Sequence, residues 1–81
     1  MKLSDWVLQA DVWHLFWDDA HTDVAATVRP AQRPVGWTIY SPEGQPPFVR
    51  GGQALSVDVA KVRAVDALRL RYAVGLAEAA K

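Results

Sequence analysis

The chain has 81 residues, 51% of them apolar, and its nine basic and nine acidic side chains balance to a formal net charge of zero. This length and apolar content predict a single globular domain over residues 1–81 and exclude an intrinsically disordered chain. The absence of cysteine excludes disulfides and thiolate metal sites, and a pI near 6.7 argues against a dedicated nucleic-acid-binding protein.

The first predicted element is a strand over residues 11–17, where aromatic and β-branched side chains are concentrated. The alternative is a helix over residues 6–17 with Ser4 as its cap, but that helix would be apolar around almost its whole circumference. The paired aspartates at residues 18 and 19 end the strand, and residues 18–23 are predicted to form a loop.

The two faces of this first strand have different predicted roles, because alternate side chains point to opposite sides. One face belongs in the core, together with Trp37 and Tyr72, and it carries Trp13, Leu15 and Trp17. The opposite face has little to cover it in so small a chain, and it carries Val12, His14 and Phe16. Exposed apolar patches mark interfaces, so this second face is predicted to bind a partner.

Three strands are predicted in the middle of the chain. Residues 24–29 and 35–40 alternate in the manner of strands, and two prolines lie between them at residues 30 and 34. Residues 41–44 form a proline- and glycine-containing turn. Residues 48–50 are predicted as a short edge strand that ends at the break of Gly51–Gly52.

The last third of the chain decides the fold class. Residues 54–60 and 68–76 alternate between apolar and polar side chains, which predicts two more strands followed by a short helical or frayed end over 77–81. In the second strand Arg69 and Arg71 point outward together. The alternative is a helix over 57–80, since alanine, leucine and arginine are good helix formers. We favour the strands, because a helix leaves Leu70 on its polar side and Gly75 in its interior.

These elements predict a mainly β fold, a small antiparallel β-sandwich or barrel of five to six short strands. The alternative is an α+β fold in which a three-stranded antiparallel meander carries one long C-terminal helix.

No catalytic or metal-binding constellation is predicted. Asp19, His21 and Asp23 alternate in the loop after the first strand, but Val24 occupies the position where a calcium loop needs glycine. We interpret the segment as a solvated acidic turn. There is no nucleophile–base pairing in a known context and no phosphate-binding glycine loop. We therefore expect a protein that is not an enzyme, with no cofactor and no metal.

The sequence contains no run of about 18 apolar residues that would span a membrane. The first residues lack the apolar core of a secretory signal, so neither a membrane span nor a signal is expected and the compartment stays open.

Charge is segregated along the chain. Residues 1–28 hold five acids and one base, a net charge of −4, and residues 29–81 hold eight bases and four acids, a net charge of +4. Such a dipolar molecule can stack head to tail or dock on a charged partner. The prediction is an interaction or assembly module that associates with itself or serves as a small accessory subunit of a larger complex, such as a viral particle or multi-subunit machine.

The predicted partner-binding residues are Val12, His14, Phe16, Arg69 and Arg71. Two other functions stay open. One is a carbohydrate-binding β-domain that uses exposed aromatic rings. The other is a nucleic-acid-binding module that uses the arginine-bearing strand, although the pI argues against nucleic acid as a partner.

Overall fold

A computed structural model describes residues 3–72, which form five antiparallel strands followed by one helix. The elements are β1 (Val7–Gln9), β2 (Val12–Phe16), β3 (Val24–Arg29), β4 (Val35–Tyr40), β5 (Val49–Ala54) and α1 (Val57–Tyr72). The order of the strands in the sheet is their order in the chain, so β1 and β5 are its two free edges. The helix lies on one face of the sheet, mainly against β3 and β4.

The predicted fold class is confirmed in part. The described residues are dominated by antiparallel β structure, but they form one open sheet, so a sandwich or barrel is not confirmed. The two layers are those of the α+β alternative, a meander with one helix, except that the meander has five strands and not three. No helix in residues 3–72 is long and apolar enough to cross a membrane.

The strands predicted over 54–60 and 68–76 are wrong within the described residues. Ala54 ends β5, and the chain is helical from Val57 to Tyr72; residues 73–81 lie outside the described residues. The helix begins at a serine cap, since the hydroxyl of Ser56 accepts a 3.2 Å hydrogen bond from the backbone N–H of Val59. A side-chain oxygen at this position satisfies a donor that the first helical turn leaves unpaired.

The charges of α1 also suit a helix. Asp58 lies in the first turn, and Arg69 and Arg71 lie in the last. An acid near the N-terminus and bases near the C-terminus complement the helix dipole. Within Val57–Tyr72 the helix thus has a capped N-terminus, charges that suit its dipole, and no glycine or proline.

The core lies between α1 and the sheet. The helix buries one stripe of residues spaced four apart, Ala60, Ala64 and Leu68. Two of the three are alanine, which lets the helix axis approach the sheet closely. The predicted core is confirmed: Leu15, Trp17 and Trp37 belong to this cluster, and Trp13 and Tyr72 pack against it.

The glycine pair in the second half of the chain does not break a strand as predicted, because β5 runs through it from Val49 to Ala54. Gly52 lies opposite Trp37 in the register of β4 and β5. A Cβ atom at residue 52 would collide with the indole ring, which lies against the glycine backbone. Glycine is therefore required here for close packing and not for a turn.

Candidate functional site

The predicted binding face of β2 is less open than expected. Val12, His14 and Phe16 lie on the side of β2 that faces away from α1, but Phe16 is only 3% exposed. Its ring stacks on the His14 ring at 6.0 Å and on the ring of His21, from the following loop, at 4.7 Å. The expectation of an exposed apolar face is therefore wrong at Phe16, while Val12 and His14 are half-buried. Their role in partner binding stays a prediction.

The loop over residues 18–23 is organised by Asp18, which the sequence did not single out. One carboxylate oxygen of Asp18 accepts backbone hydrogen bonds from Thr22 (3.0 Å) and Asp23 (3.1 Å), and the other accepts one from the Thr22 hydroxyl. These hydrogen bonds hold the pKa of Asp18 below its usual value, and the bond from the Thr22 hydroxyl has the largest effect. In residues 3–72 no three histidine or carboxylate side chains are grouped so that they could hold a metal ion.

Arg69 and Arg71 are not paired on one strand face. They lie two residues apart on α1, which separates their directions by about 200° around the helix axis. The guanidinium carbon of Arg71 lies 4.0 Å from the centre of the Phe48 ring and 5.9 Å from that of Tyr72. The predicted arginine-bearing strand is therefore wrong, and only Arg71 is held against the sheet side of the helix.

A groove of about 360 Å³ lies between β5 and α1. We term it the β5–α1 groove. Its apolar surface comes from Trp37 and Ile39 of β4, from Phe48, and from Ala67 and Leu70 of the helix. Three arginines and one acid surround it, namely Arg50, Arg63, Arg71 and Asp66. A smaller depression that shares Arg63 continues the groove towards Leu55 and Val59.

The helix carries a second apolar side that faces this groove. Leu68 is fully buried in the core, whereas Leu70 is 90% exposed because two residues turn the helix by about 200°. Arg63, Ala67 and Leu70 follow one another at intervals of four and three residues, so they share one side of α1. In the sequence, Leu70 belongs to the alternation over 68–76 that predicts a strand, whereas Arg63 and Ala67 lie outside both predicted strands.

Half of the large apolar side chains that stay exposed line the groove or the depression beside it. Within the described residues there are six of them; Leu70 lines the groove, and Leu55 and Val59 line the depression. Val49 and Val62 line neither. Leu55 is 95% exposed, the highest value among them. The sixth, Leu8, lies on β1 at the opposite edge of the sheet.

The arginines around the groove keep their donors available. Among the described residues, the arginine side chains that donate hydrogen bonds are Arg29, to the Thr38 hydroxyl at 3.1 Å, and Arg33, to nearby backbone carbonyls. Both lie outside the groove. A guanidinium group without a fixed acceptor can bind a carboxylate through two parallel hydrogen bonds. The groove is thus an apolar channel with a net positive border along a free strand edge.

The described residues define an α+β protein with an open meander sheet and a cationic groove at one edge. No family model, curated protein or solved structure matches the chain.

Proposed function

We propose that this protein is a non-enzymatic interaction module that holds a partner protein in the β5–α1 groove. One observation carries the proposal: three of the six exposed large apolar side chains of the described residues, Leu55, Val59 and Leu70, line the groove or the depression that continues it. Exposed apolar residues are expected singly on a monomer, whereas their concentration beside a free sheet edge is typical of an interface.

The groove offers three kinds of contact to a protein segment. The free edge of β5 has backbone groups that can pair with an added strand. The apolar surface of Phe48 and Leu70 suits a large apolar side chain, and Arg50 and Arg63 suit carboxylates. An extended segment that presents both apolar and acidic side chains on its groove-facing side combines all three.

Nucleic-acid binding is the second candidate, since Arg50, Arg63, Arg69 and Arg71 come from two neighbouring elements. The apolar lining of the groove favours protein over phosphate. A carbohydrate surface has less support, because all four tryptophans are buried or half-buried. The open face of Trp13 is occupied by the ammonium group of Lys61, 3.5 Å from the ring centre.

The test is site-specific photo-crosslinking in cells of the native source. A photoreactive residue placed at Leu55 or Leu70 is expected to crosslink to protein, and one placed at the exposed Ala20 in the loop over 18–23 is not. Reversing the charge of the groove with Arg50→Glu and Arg63→Glu should remove the crosslinks from the first two positions. Equal crosslinking from all three positions would contradict the proposal, and crosslinked products that nuclease destroys would replace it by nucleic-acid binding.

A further inference from the structure

The two free edges of the sheet carry opposite charges. Because the strand order follows the chain, the acids beside β1 and the arginines of β5 and α1 lie at opposite edges of the sheet, although Lys61 of α1 also reaches the Trp6 and Trp13 rings near β1. Asp5 lies two residues before β1 and Asp11 lies in the turn that follows it, and both are exposed. At the other edge, the border of the β5–α1 groove has three arginines against Asp66.

The two edges also share an exposed apolar side on the same face of the sheet. Leu8 on β1 is 52% exposed and pairs with Trp13 in the register of β1 and β2. Cross-strand partners project to the same face. Trp13 packs against the core beneath α1, so Leu8 projects to the helix side, as the β5–α1 groove does.

We propose, resting on the function proposed above, that the occupant of the β5–α1 groove is β1 of a second copy of this chain. In an antiparallel meander the odd-numbered strands share one direction, so β1 and β5 run the same way. A second copy that is translated beside the first therefore places its β1 parallel to β5. The helices of both copies then lie on the same face of the joined sheet. Leu8 of the second copy then projects to the side where Phe48 and Leu70 line the groove.

Charge selects this pairing over the two symmetric ones. Pairing β5 with β5 would bring two sets of groove arginines together, and pairing β1 with β1 would bring two sets of aspartates together. Only the unlike pairing places opposite charges side by side. A contact between two different surfaces closes into a ring only where the rotation between copies closes, and copies related by translation form open chains.

Sedimentation velocity of the purified protein tests the assembly. The mean mass should rise with protein concentration without reaching one fixed size, and it should fall as salt screens the charges. Two charge-reversed variants are decisive: Arg50→Glu with Arg63→Glu, and Asp5→Lys with Asp11→Lys, all at exposed positions. Each variant alone should associate at least about tenfold more weakly than the parent chain, since like charges across an interface are costly. Their equimolar mixture should assemble again, because each supplies the edge charge that the other has lost.

A matched pair of substitutions tests the apolar contact. Leu8→Arg should abolish assembly, whereas Val62→Arg, which adds the same charge to an exposed side chain that does not line the groove, should not. Circular dichroism of each variant verifies that the fold is retained.

Three results would overturn the proposal. A protein that stays monomeric at all protein and salt concentrations has no such contact. If the crosslinks from Leu55 and Leu70 to another protein persist in that case, the groove still binds protein but its occupant is not a second copy. A closed dimer that survives Asp5→Lys with Asp11→Lys indicates pairing of β5 with β5. A mixture of the two variants that stays monomeric removes the charge complementarity on which the pairing rests.

Discussion

At the scale of single residues, the turn between β1 and β2 holds two residues in a left-handed backbone conformation. The φ angle is 50° at Ala10 and 63° at Asp11, and Gln9 pairs directly with Val12. This is a two-residue hairpin loop with positive φ at both positions, the geometry of a type I′ turn. The sequences that favour this turn are Asn–Gly and Asp–Gly, and alanine is poorly suited because its Cβ crowds the carbonyl oxygen.

The double substitution Ala10→Asn with Asp11→Gly should therefore stabilise the protein, by about 1 kcal/mol in the free energy of unfolding. Urea denaturation followed by tryptophan fluorescence measures the change. Asp19→Gly is the control, since residue 19 is exposed and does not have a positive φ angle. A double variant that is no more stable than the parent chain would show that the turn does not have this geometry in solution.

Asp18 makes the stability of the loop over 18–23 depend on pH. Its pKa is lowered in the folded protein, chiefly by the hydrogen bond from the Thr22 hydroxyl and also by backbone donors of Thr22 and Asp23. The folded state thus favours the ionised carboxylate more than the unfolded state does. The resulting stability is present above the ordinary pKa of aspartate and is lost as the pH falls through the lowered, folded-state pKa.

We expect Asp18→Asn to lower the thermal midpoint at pH 7, and the difference from the parent chain to shrink as the pH falls below about 4. Thermal unfolding at a series of pH values between neutral and strongly acidic measures the effect. Asp19→Asn, one residue further on, removes the same charge but none of these hydrogen bonds, and its effect should be small. A difference for Asp18→Asn that is equal at every pH would contradict the assigned role of the carboxylate.

At the scale of elements, the strands in the middle of the chain could be predicted closely from the sequence. The predicted ranges 24–29 and 35–40 match β3 and β4, and the prediction of 11–17 contains β2. These segments are rich in β-branched and aromatic residues and have prolines or acidic turns at their ends, so local preference and the final structure agree.

The helix could not be assigned from the sequence alone, because two periods fit the same residues. Leu68, Leu70 and Tyr72 alternate as in a strand, while Ala60, Ala64 and Leu68 recur at helical spacing. The choice between helix and strand depends on which leucine side chains are buried by contacts with distant parts of the chain. The signal that was overlooked is the serine cap at Ser56, followed by an acid in the first turn. The exposure of Leu70, which in the sequence argues against a helix, is present in the structure. Its side chain lines the β5–α1 groove.

Substitution of two leucines of α1 distinguishes a helix from a strand by experiment. Leu68 is fully buried in the core, so Leu68→Ala should lower the free energy of unfolding by roughly 2–5 kcal/mol. Leu70→Ala should change it by less than about 0.5 kcal/mol, since the side chain is 90% exposed. Chemical denaturation of the two variants measures both values. Equal and large losses would mean that the two side chains share one buried face, as they would in a strand.

The candidate site was predicted less well than the fold. The sequence indicated an interface with apolar and arginine side chains, but it placed the apolar part on β2, where the imidazole rings of His14 and His21 stack on Phe16. The β5–α1 groove is made from residues of β4, β5 and the helix, which no local pattern connects. Of the predicted arginines only Arg71 lines it, and Arg69 is exposed on another side of α1.

At the scale of the whole molecule, the sheet and the helix share a single core. Trp37 and Ile39 of β4 and Val28 of β3 meet Ala60, Ala64 and Leu68 in one cluster of buried residues. The helix has a further contact at each end: Lys61 lies over Trp13, and the Tyr72 ring meets the Trp17 ring edge-on at 5.3 Å. Within the described residues, neither the sheet nor the helix packs against a second apolar surface of comparable extent.

We therefore expect the sheet and the helix to unfold together. Tryptophan fluorescence reports on the sheet and its core contacts, since all four tryptophans precede β5, and far-ultraviolet circular dichroism at 222 nm reports chiefly on α1. The two signals should change with coincident midpoints in urea, as in a cooperative transition of a small domain. Leu68→Ala should shift both midpoints by the same amount, because the lost contact belongs to both layers. A helix signal that disappears at lower urea than the fluorescence signal would show that α1 leaves the sheet first, and the β5–α1 groove would then exist only while the helix is docked.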